Sequence, residues 1–397
     1  MKILAVNAGS SSLKFQAYEM PEEKILMSGT FEKIGESNSF YTIKFNGEKI
    51  KKEIDLPTHK VAVEMVAKEL LDNKIINSLN EIKGIGHRVV HGGDKYSSSV
   101  IIDNDVISTV ESLSQLAPLH NPANITGINA FINMIPDAVQ VACFDTAFHQ
   151  TMDEVAYTYP LPYEWREKYG IRKYGFHGMS HRFVSERASE LLQKENAKVI
   201  VCHLGNGASI TAVENGKSID TTMGFTPNAG LMMGTRCGDI DASILPFMMD
   251  KLNLSTKEID NIINKESGML GISGLSNDSR DIEKASEAGN ERCFLVQKMY
   301  ARRVIEYISK YYVLLKGADA ICFTAGIGEN SPLTREKVLN GLEVLGVKLD
   351  VEANKVRAEE KLISTVDSKI KCYVIPTNEE LMIARDAYNL VLGNNNV

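Results

Sequence analysis

The 397-residue sequence lacks the features that mark several classes of protein. Its six cysteines are scattered singly with no C-x-x-C pair, so neither a disulfide framework nor a cysteine zinc site is expected. No apolar run reaches the roughly 18 residues of a membrane helix, and no secretory signal is recognisable. The formal net charge is −7, and no block of like charges could follow a phosphate backbone. We therefore expect a cytoplasmic protein with no membrane or nucleic-acid partner.

Short apolar runs bounded by Gly, Asn or Asp alternate with longer stretches of helical periodicity, which predicts an α/β chain. Hairpin turns are expected at Asn46-Gly47 and at Asn215-Gly216, because this dipeptide favours the type I′ turn. The longest helix is expected from 290 to 316, and another helix is expected with Ser180 as its N-cap. A domain boundary is expected near residue 150, ahead of a Pro- and Tyr-bearing stretch without clear periodicity.

The chain contains one internal similarity. Residues 3–15 (ILAVNAGSSSLKF) align with residues 200–212 (IVCHLGNGASITA), which places Ser12 over Ser209. This pattern favours two related domains, each with a turn whose backbone N–H groups can bind phosphate. The alternative is that two unrelated Gly- and Ser-containing hairpins occur in one long α/β chain.

Two Gly-containing turns are candidate anion-binding loops. Residues 7–14 (NAGSSSLK) combine small residues, hydroxyls and a lysine, which lets backbone amides approach an anion closely. Residues 324–330 (TAGIGEN) follow an apolar strand and precede a helix that contains Pro332 in its first turn, so helix amides point at the loop. Both turns also have a purely structural interpretation, the first as a polar hairpin and the second as a turn that lets helix and strand pack.

Arginines in short polar loops indicate contacts with a carboxylate or a phosphate. Arg88 (in HRVVHGG) and Arg236 (in GTRCGD) are the first candidates, because a guanidinium binds such anions with two parallel hydrogen bonds. Surface ion pairs are the alternative interpretation of both.

Asp145 follows a predicted strand, at the position where active sites of α/β proteins collect. No H-E-x-x-H motif or Cys–His set is present, so the sequence favours magnesium with a nucleotide over zinc.

Taken together, these motifs resemble the acetokinase family of the superfamily that includes sugar kinases, heat-shock chaperones and actin. The resemblance runs nearly from end to end. The matching segments are NAGSSSLKF (7–15), GHRVVHGG (86–93), PLHNPANI (118–125), DTAFHQTM (145–152), YGFHGMSH (174–181), HLGNGASI (203–210), MGTRCGDID (233–241), FTAGIGENS (323–331) and PTNEE (376–380). Cys237, Ala242 and Asp153 depart from the usual family pattern, but none of them replaces a charged catalytic group.

The resemblance implies an α/β fold of duplicated actin-like ATPase (ribonuclease H-like) domains, with mixed five-stranded sheets facing across a cleft. The N-terminal domain is expected to comprise residues 1–150 and 383–397, and the C-terminal domain residues 151–382. The resemblance further implies a cytoplasmic homodimer. ATP or ADP is expected as co-substrate, with Mg²⁺ as cofactor and Mn²⁺ as a substitute.

The implied reaction is reversible, direct in-line transfer of the γ-phosphoryl group of ATP to acetate, which gives acetyl phosphate and ADP. The residues expected to be catalytic are Asp145, Arg88, His177 and Arg236. Those expected to bind acetate are Arg88, Val90, Leu119, Phe176 and Pro227. Those expected to bind the nucleotide are Lys14, Ser12, His203, Leu204, Gly205, Asn206, Gly207, Asp278, Ser279, Arg280, Ala325, Gly326, Ile327, Gly328 and Glu329. Those expected on the metal side are Asn7 and Glu379.

The role of Asp145 follows from the chemistry of the acceptor. A carboxylic acid with a pKa near that of Glu, about 4.3, is already ionised at pH 7 and needs no general base. We therefore expect Asp145 to orient Arg88 or metal-bound water.

Two alternative functions accompany this prediction. A propionate or butyrate kinase of the same family would differ in the volume left by Val90 and its neighbours, and one methylene is worth only about 1–3 kcal/mol of discrimination. A chaperone-like ATPase of the wider superfamily is the more remote alternative. The arginines on the acceptor side and the end-to-end motif match speak against it.

Overall fold

The computed structural model describes residues 1–117 and 120–394. These residues form two compact units, one of Met1–Gln150 with the segment that begins at Asn378, the other of Thr151–Thr377. The domain bounds expected from the sequence stay a prediction, because a compact unit need not fold independently. No helix in the described ranges is long and apolar enough to cross a membrane.

A mixed sheet organises the first unit. Its strands are β1 (Lys2–Ala8), β2 (Ser12–Glu19), β3 (Lys24–Glu32), β4 (Phe40–Phe45), β5 (Glu48–Glu53), β6 (Ile82–Val89), β7 (Val100–Ile101) and β8 (Val139–Phe144). They are arranged in the order β5-β4-β3-β2-β1-β6-β8-β7. Strands β1 to β5 form an antiparallel meander, whereas β1, β6 and β8 are parallel. The turn between β4 and β5 is Asn46-Gly47, as predicted, with positive φ at both residues.

Three helices of this unit pack on the sheet or on one another: α1 (His59–Asp72), α2 (Asn104–Ser112) and α3 (Asn121–Met134). The Thr58 hydroxyl caps α1 by accepting a hydrogen bond from the Val61 amide. Helices α1 and α3 contact each other, and their buried Val66, Leu70 and Phe131 belong to the same apolar core as the strands. The core therefore fixes the ends of β1, β6 and β8, where the candidate residues of this unit lie.

The second unit repeats the pattern with more helices. Its strands are β9 (Lys198–Leu204), β10 (Ala208–Glu214), β11 (Lys217–Thr221), β12 (Ala320–Thr324), β13 (Lys361–Leu362) and β14 (Lys371–Val374). Its helices are α4 (Glu154–Tyr157), α5 (Tyr163–Tyr169), α6 (Gly178–Leu192), α7 (Ile244–Leu252), α8 (Thr256–Lys265), α9 (Gly268–Ser273), α10 (Ser279–Glu287), α11 (Glu291–Leu314), α12 (Ala325–Asn330) and α13 (Pro332–Asn340). The strand order is β11-β10-β9-β12-β14-β13, with β9, β12 and β14 parallel. The chain then returns to the first unit as α14 (Glu379–Asn394), which packs on β1, β6 and β8.

Each sheet contains the same five-stranded core. When only the five core strands of each unit are numbered along the chain, the order is 3-2-1-4-5 both in β3-β2-β1-β6-β8 and in β11-β10-β9-β12-β14. This repeat confirms the duplicated fold. The complete sheets have eight and six strands rather than five. The added strands are the hairpin β4–β5 and the edge strands β7 and β13, which contain only two residues each.

The alignment of Ser12 with Ser209 is wrong in the second strand of each hairpin. Gly9 donates its backbone N–H to the Ser12 carbonyl (2.9 Å), and Gly205 donates to the Gly207 carbonyl (3.1 Å). In the first hairpin, four residues lie between the paired Ala8 and Leu13. In the second, three residues lie between the paired Leu204 and Ala208, so the first turn is one residue longer. Ser12 is therefore exposed at the first turn, whereas Ser209 is buried inside β10.

Helix boundaries agree with the sequence where a cap makes its expected contact. Asn290 caps α11, the longest helix, by accepting from the Cys293 amide. The prediction for α6 is wrong, because the helix begins at Gly178 and Ser180 is already inside it. The Ser180 hydroxyl contacts His203 Nδ1 (2.7 Å) instead, and His177 occupies the N-cap position with a positive φ of 57°. The Pro- and Tyr-bearing stretch after residue 150, which is expected to lack clear periodicity, contains the last residue of the short helix α4 and the first residue of the short helix α5.

Candidate active site

In the first unit, an arginine and an aspartate meet at the carboxyl ends of two parallel strands. Register places Arg88 of β6 beside Cys143 of β8, and Asp145 follows two residues later. Arg88 Nε donates to Asp145 Oδ1 (2.9 Å) and Arg88 Nη2 donates to Asp145 Oδ2 (2.7 Å). Asp145 is 2% exposed. Arg88 Nη1 has no hydrogen-bond partner among the described residues, so one end of the guanidinium is available for an anion.

The start of α14 adds two carboxylates to this group in the first unit. Burial alone lowers the pKa of Arg88, but Asp145, Glu379 and Glu380 more than offset it, so the pKa is raised. Burial raises the pKa of Glu379, the charges of Arg88 and Lys14 partly oppose this, and the charges of Asp145 and Glu380 add to the rise. Lys14 of β2 pairs with Glu380. A cation near Glu379 would therefore relieve an unfavourable buried charge.

The donors near this carboxylate are oxygen atoms, as magnesium requires. Asn7 lies opposite Lys14 in the pairing of β1 with β2, and Lys14 reaches the first turn of α14. Asn7 and Glu379 therefore belong to the same part of the first unit. Within the described ranges, no group of three or more His, Cys, Asp or Glu side chains is arranged to hold a metal. A site with an amide oxygen, one carboxylate and waters fits Mg²⁺, which keeps several of its waters when bound.

Two buried asparagines on α3, which are not among the residues expected at the site, hold the loops beside Arg88. Asn124 donates to the Ala8 carbonyl (2.8 Å) and accepts from the Val90 amide (3.2 Å). Asn121 accepts from the His91 amide and donates to the His91 carbonyl. Both side chains are at most 3% exposed. The signal that could have found them is their spacing of three residues, which places both on one face of the first turn of a helix.

In the second unit, three histidines surround two serines. His177 Nδ1 lies 2.9 Å and His181 Nε2 lies 2.6 Å from the Ser209 hydroxyl. The rings of His177 and His203 stack, with 4.0 Å between their centroids. Helix α6 and strands β9 and β10 therefore hold these imidazoles in fixed orientations.

Arg236 lies beside the β9–β10 turn, close to His177. A Cβ built on Gly207 would be 3.4 Å from Arg236 Nη1 and 3.6 Å from His177 Nε2, so the turn lies directly against both side chains. Arg236 Nη1 donates to the Pro227 carbonyl (3.1 Å). Within the described part of the chain, no carboxylate forms an ion pair with Arg236, and burial lowers its pKa. The arrangement therefore presents a cation and an imidazole to the backbone amides of a glycine turn.

A cavity of about 620 Å³ lies next to this turn. Seven of the residues expected to bind nucleotide line it: Gly205, Asn206, Asp278, Ser279, Arg280, Gly326 and Ile327. Asn277, Glu283, Asn330, Ser331 and Arg357 also line the cavity. Asn330 is the last residue of the candidate loop 324–330 and Ser331 follows it, whereas Asn277, Glu283 and Arg357 lie outside the recognised motifs and were not expected there.

Glu329 organises the loop that lines this cavity. Its Oε1 accepts hydrogen bonds from the amides of Ala325 (2.8 Å) and Thr377 (3.2 Å). Ala325 has a positive φ of 65°, which is unusual for a residue with a Cβ. The carboxylate therefore holds the strained start of α12 in place. Among the other residues expected at the nucleotide, Ala325 and Gly328 belong to α12, and His203, Leu204 and Gly207 belong to β9 and its turn.

The remaining predicted residues divide between the two units. Ser12 and Lys14 of the nucleotide set and Val90 of the acetate set lie in the first unit, the last of these held by Asn124. Phe176, which is buried, and Pro227 lie in the second unit. Leu119 lies outside the described residues. The structure therefore brings together the Arg88 group within one unit and the His177, Arg236 and cavity group within the other.

Comparison with known proteins gives a consistent result over nearly the whole chain. A family model described as the acetokinase family matches residues 2–385. Acetate kinase 2 of Listeria monocytogenes is 56% identical over 387 residues, which is 97% of this chain and 98% of that protein. An acetate kinase of Bacillus cytotoxicus is 56% identical over 391 residues, which is 98% of each chain.

Two solved structures are similar to this chain throughout. The crystal structure of Porphyromonas gingivalis acetate kinase has a TM-score of 0.93 at 47% identity, covering 98% of this chain and 99% of that one. A propionate kinase from Francisella tularensis has a TM-score of 0.92 at 44% identity, with the same coverage. Enzymes of this family are kinases with ATP or ADP as co-substrate. The sequence motifs, the repeated sheet order and these matches together establish that the chain belongs to the acetokinase family.

Proposed function

We propose that this protein transfers the γ-phosphoryl group of ATP to acetate, reversibly and directly, to give acetyl phosphate and ADP. The observation that carries the proposal is the group formed by Arg236, His177 and Gly207, which offers a cation without a carboxylate partner beside a glycine turn. Transfer of a phosphoryl group needs mainly positioning and charge stabilisation from the protein. Two relatives at 56% identity bear the name acetate kinase, which supports acetate as the acceptor.

Arg88 is proposed to bind the acceptor carboxylate. Its Nη1 is available, while Nε and Nη2 are held by Asp145. Asp145 acts as a positioning residue, because an ionised carboxylate acceptor has no proton to remove at pH 7. Val90, Leu119, Phe176 and Pro227 are proposed to contact the methyl group.

Arg236 and His177 are proposed to donate hydrogen bonds to the phosphoryl oxygens during transfer. Charge on these oxygens is spread over three atoms in the transition state, so fixed donors stabilise it without reorganisation. Leaving group and acceptor remain in line, and no covalent enzyme intermediate forms.

The nucleotide is proposed to occupy the cavity beside the glycine turn. A volume of about 620 Å³ lies within the range of small-molecule sites. The amide-rich segments 203–207, 278–280 and 325–329 would surround the base, the ribose and the phosphates, and Ser12 and Lys14 would contact the phosphates.

Asn7 and Glu379 are proposed to hold Mg²⁺, for which Mn²⁺ can substitute. The bound ion supplies positive charge to the β- and γ-phosphates. Glu379 accommodates it because a cation offsets the buried carboxylate charge described above.

A cytoplasmic homodimer without membrane or nucleic-acid partners completes the proposal. Among the described residues, which include all six cysteines, no disulfide is formed, and this supports a reducing compartment. Ile244, Phe247 and Leu252 of α7 are about half exposed or more, which supports an interface between copies. Size-exclusion chromatography with light scattering tests the dimer, and a monomer mass across the working concentration range contradicts it.

The first experiment traps acyl phosphate as hydroxamate in the presence of ATP and Mg²⁺. Acetate, propionate and butyrate are compared at equal concentration, and kcat/KM for acetate is expected to be highest. The second candidate is a propionate kinase, favoured by the similarity to the Francisella enzyme. A higher kcat/KM for propionate would establish that candidate, and Val90→Ala should then move the preference further toward longer acids. ATP hydrolysis without any acid-dependent product would instead indicate the chaperone-like alternative.

A further inference from the structure

Ser209 contacts His177 Nδ1 and has no role in the proposed reaction as described so far. It belongs to β10 and is fully buried. Among the described residues, the partners of its hydroxyl are His177 Nδ1 and His181 Nε2. A serine hydroxyl has one proton to donate, and a buried hydroxyl proton without an acceptor is destabilising. One of the two imidazoles must therefore accept this proton, and the other must donate one to Oγ.

The two distances assign the direction of these hydrogen bonds. Bonds with an O–H donor are typically shorter than bonds with an N–H donor. The 2.6 Å contact therefore fits donation from Ser209 to His181 Nε2, and the 2.9 Å contact fits donation from His177 Nδ1 to Ser209. His177 then keeps its Nδ1 proton. Its other nitrogen, Nε2, lies on the side of Gly207 and Arg236.

We propose that Ser209 and His181 are positioning residues, which form a hydrogen-bonded chain from His177 Nδ1–H through the Ser209 hydroxyl to His181 Nε2. The inference rests on the proposed role of His177 in phosphoryl transfer. To donate from Nε2 while Nδ1 keeps its proton, His177 must be an imidazolium. The Ser209 hydroxyl, which accepts the Nδ1–H, stabilises that cation and fixes the orientation of its ring; in a catalytic triad a carboxylate occupies this position, whereas here the acceptor is a neutral hydroxyl.

The neighbouring histidine supports this assignment. His203 stacks on His177, and its Nδ1 lies 2.7 Å from the Ser180 hydroxyl. By the same distance rule, Ser180 donates and His203 accepts, so His203 is neutral. Only one of the two stacked rings then carries a charge. The groups around His177 are thus a cation, Arg236, and two neutral imidazoles.

The kinetic test compares two buried hydroxyls on one strand. Ser209→Ala should lower kcat by about 10- to 100-fold, the effect of one hydrogen bond to a charged group, with the KM for ATP unchanged. Thr211→Val is the matched control, because Thr211 is equally buried on β10 but its hydroxyl contacts Thr221. Its kcat should stay within about 2-fold of the wild type. Equal losses in both variants would show a general packing effect and overturn the proposal.

Combining substitutions tests whether Ser209 acts through His177. In a His177→Ala background, Ser209→Ala should cause no further loss of kcat, because the chain then ends at an absent ring. A second loss of the same size would show that Ser209 acts independently, and the inference would be wrong.

A spectroscopic test needs no substrate. Long-range ¹H–¹⁵N spectra of protein labelled at histidine nitrogens identify which nitrogen carries a proton. The His177 signals, assigned by their loss in His177→Ala, should show a protonated Nδ1 that Ser209→Ala abolishes or shifts. A protonated Nε2 with a bare Nδ1 in the wild type overturns the inference. Failure of acid-dependent product formation would refute the proposed function but would leave this spectrum unchanged.

Discussion

Arg88 and Asp145 form a two-point ion pair whose geometry leaves one guanidinium nitrogen unused. Nε and Nη2 of Arg88 both donate to the carboxylate, and Nη1 has no hydrogen-bond partner among the described residues. Because Asp145 is buried, solvent screens the pair much less than it screens a surface ion pair. The guanidinium plane is thus fixed before any anion binds.

Asp145→Asn should lower kcat/KM for the acceptor by about 100-fold, the effect of a small misplacement of a binding group. The amide keeps the size of the side chain but no longer attracts the guanidinium. The pH profile should keep its shape, because the carboxylate acts by orientation and not as a base. Steady-state kinetics between pH 6 and 9 measure both quantities.

Glu23→Gln is the matched control for this substitution. Glu23 forms a similar two-point pair with Arg385, outside the candidate site. The control should leave kcat/KM unchanged. Near-normal rates of Asp145→Asn at every pH would rule out the positioning role.

Arg236→Ala should lower kcat by about 10²- to 10³-fold with little change in nucleotide affinity. Arg236 lies beside Gly207 and does not line the cavity proposed to bind the nucleotide. Arg302→Ala removes an exposed arginine of α11 and should have no effect. Equilibrium binding of ADP together with turnover separates the two quantities, and parallel losses of both would refute the assignment.

Glu329→Ala should raise the KM for ATP by about 10-fold and leave the KM for the acid unchanged. The substitution removes the acceptor that holds the Ala325 and Thr377 amides, and a lost buried partner costs about 1–3 kcal/mol. Glu343→Ala, at an exposed position, is the control. If the KM for ATP stays constant, the carboxylate does not organise the nucleotide loop.

The buried His87 should make stability depend on pH. Burial lowers its pKa from 6.5 to about 4, with a hydrogen bond to Gln140 partly opposing the shift. Above pH 6.5 the ring is neutral in both folded and unfolded chains and has no effect on the pH dependence. As the pH falls from 6.5 to about 4, the unfolded chain binds a proton that the folded chain does not, so up to about 3 kcal/mol of stability is lost.

His87→Gln tests this contribution, since it removes the titrating ring. Urea unfolding should show that the wild type loses about 3 kcal/mol more than the variant between pH 6.5 and 4. Their difference should be constant from pH 7 to 8. A constant difference down to pH 4 would show that His87 titrates normally in the folded state.

Local signals in the sequence predict much of the fold. The Asn46-Gly47 turn and the Asn290 cap lie where their own side chains and backbone preferences act, so they are recognisable from a few residues. The start of α6 was predicted wrongly because a distant residue, His203, takes the Ser180 hydroxyl that would otherwise cap the helix. The difference in length between the two turns likewise depends on which residues pair across the strands, and a linear sequence alignment does not show that pairing.

The candidate site shows the same division. The residue types and loop contexts of Arg88, Asp145 and Arg236 indicate anion binding from the sequence alone. Asn121 and Asn124 were missed because their role depends on packing against loops far along the chain. Ser209 was noticed for its place in a repeat, whereas its contacts with two histidines appear only in the folded chain.

Asn124 ties the end of β1 to Val90, two residues after Arg88, through a single side chain. The Ala8 carbonyl and the Val90 amide are bound by opposite ends of one amide group that is nearly inaccessible to water. Neither loop can therefore shift alone without breaking a buried hydrogen bond. Both loops are already ordered when the protein folds. Binding of a small acid therefore costs less loop conformational entropy than it would if the loops became ordered only on binding.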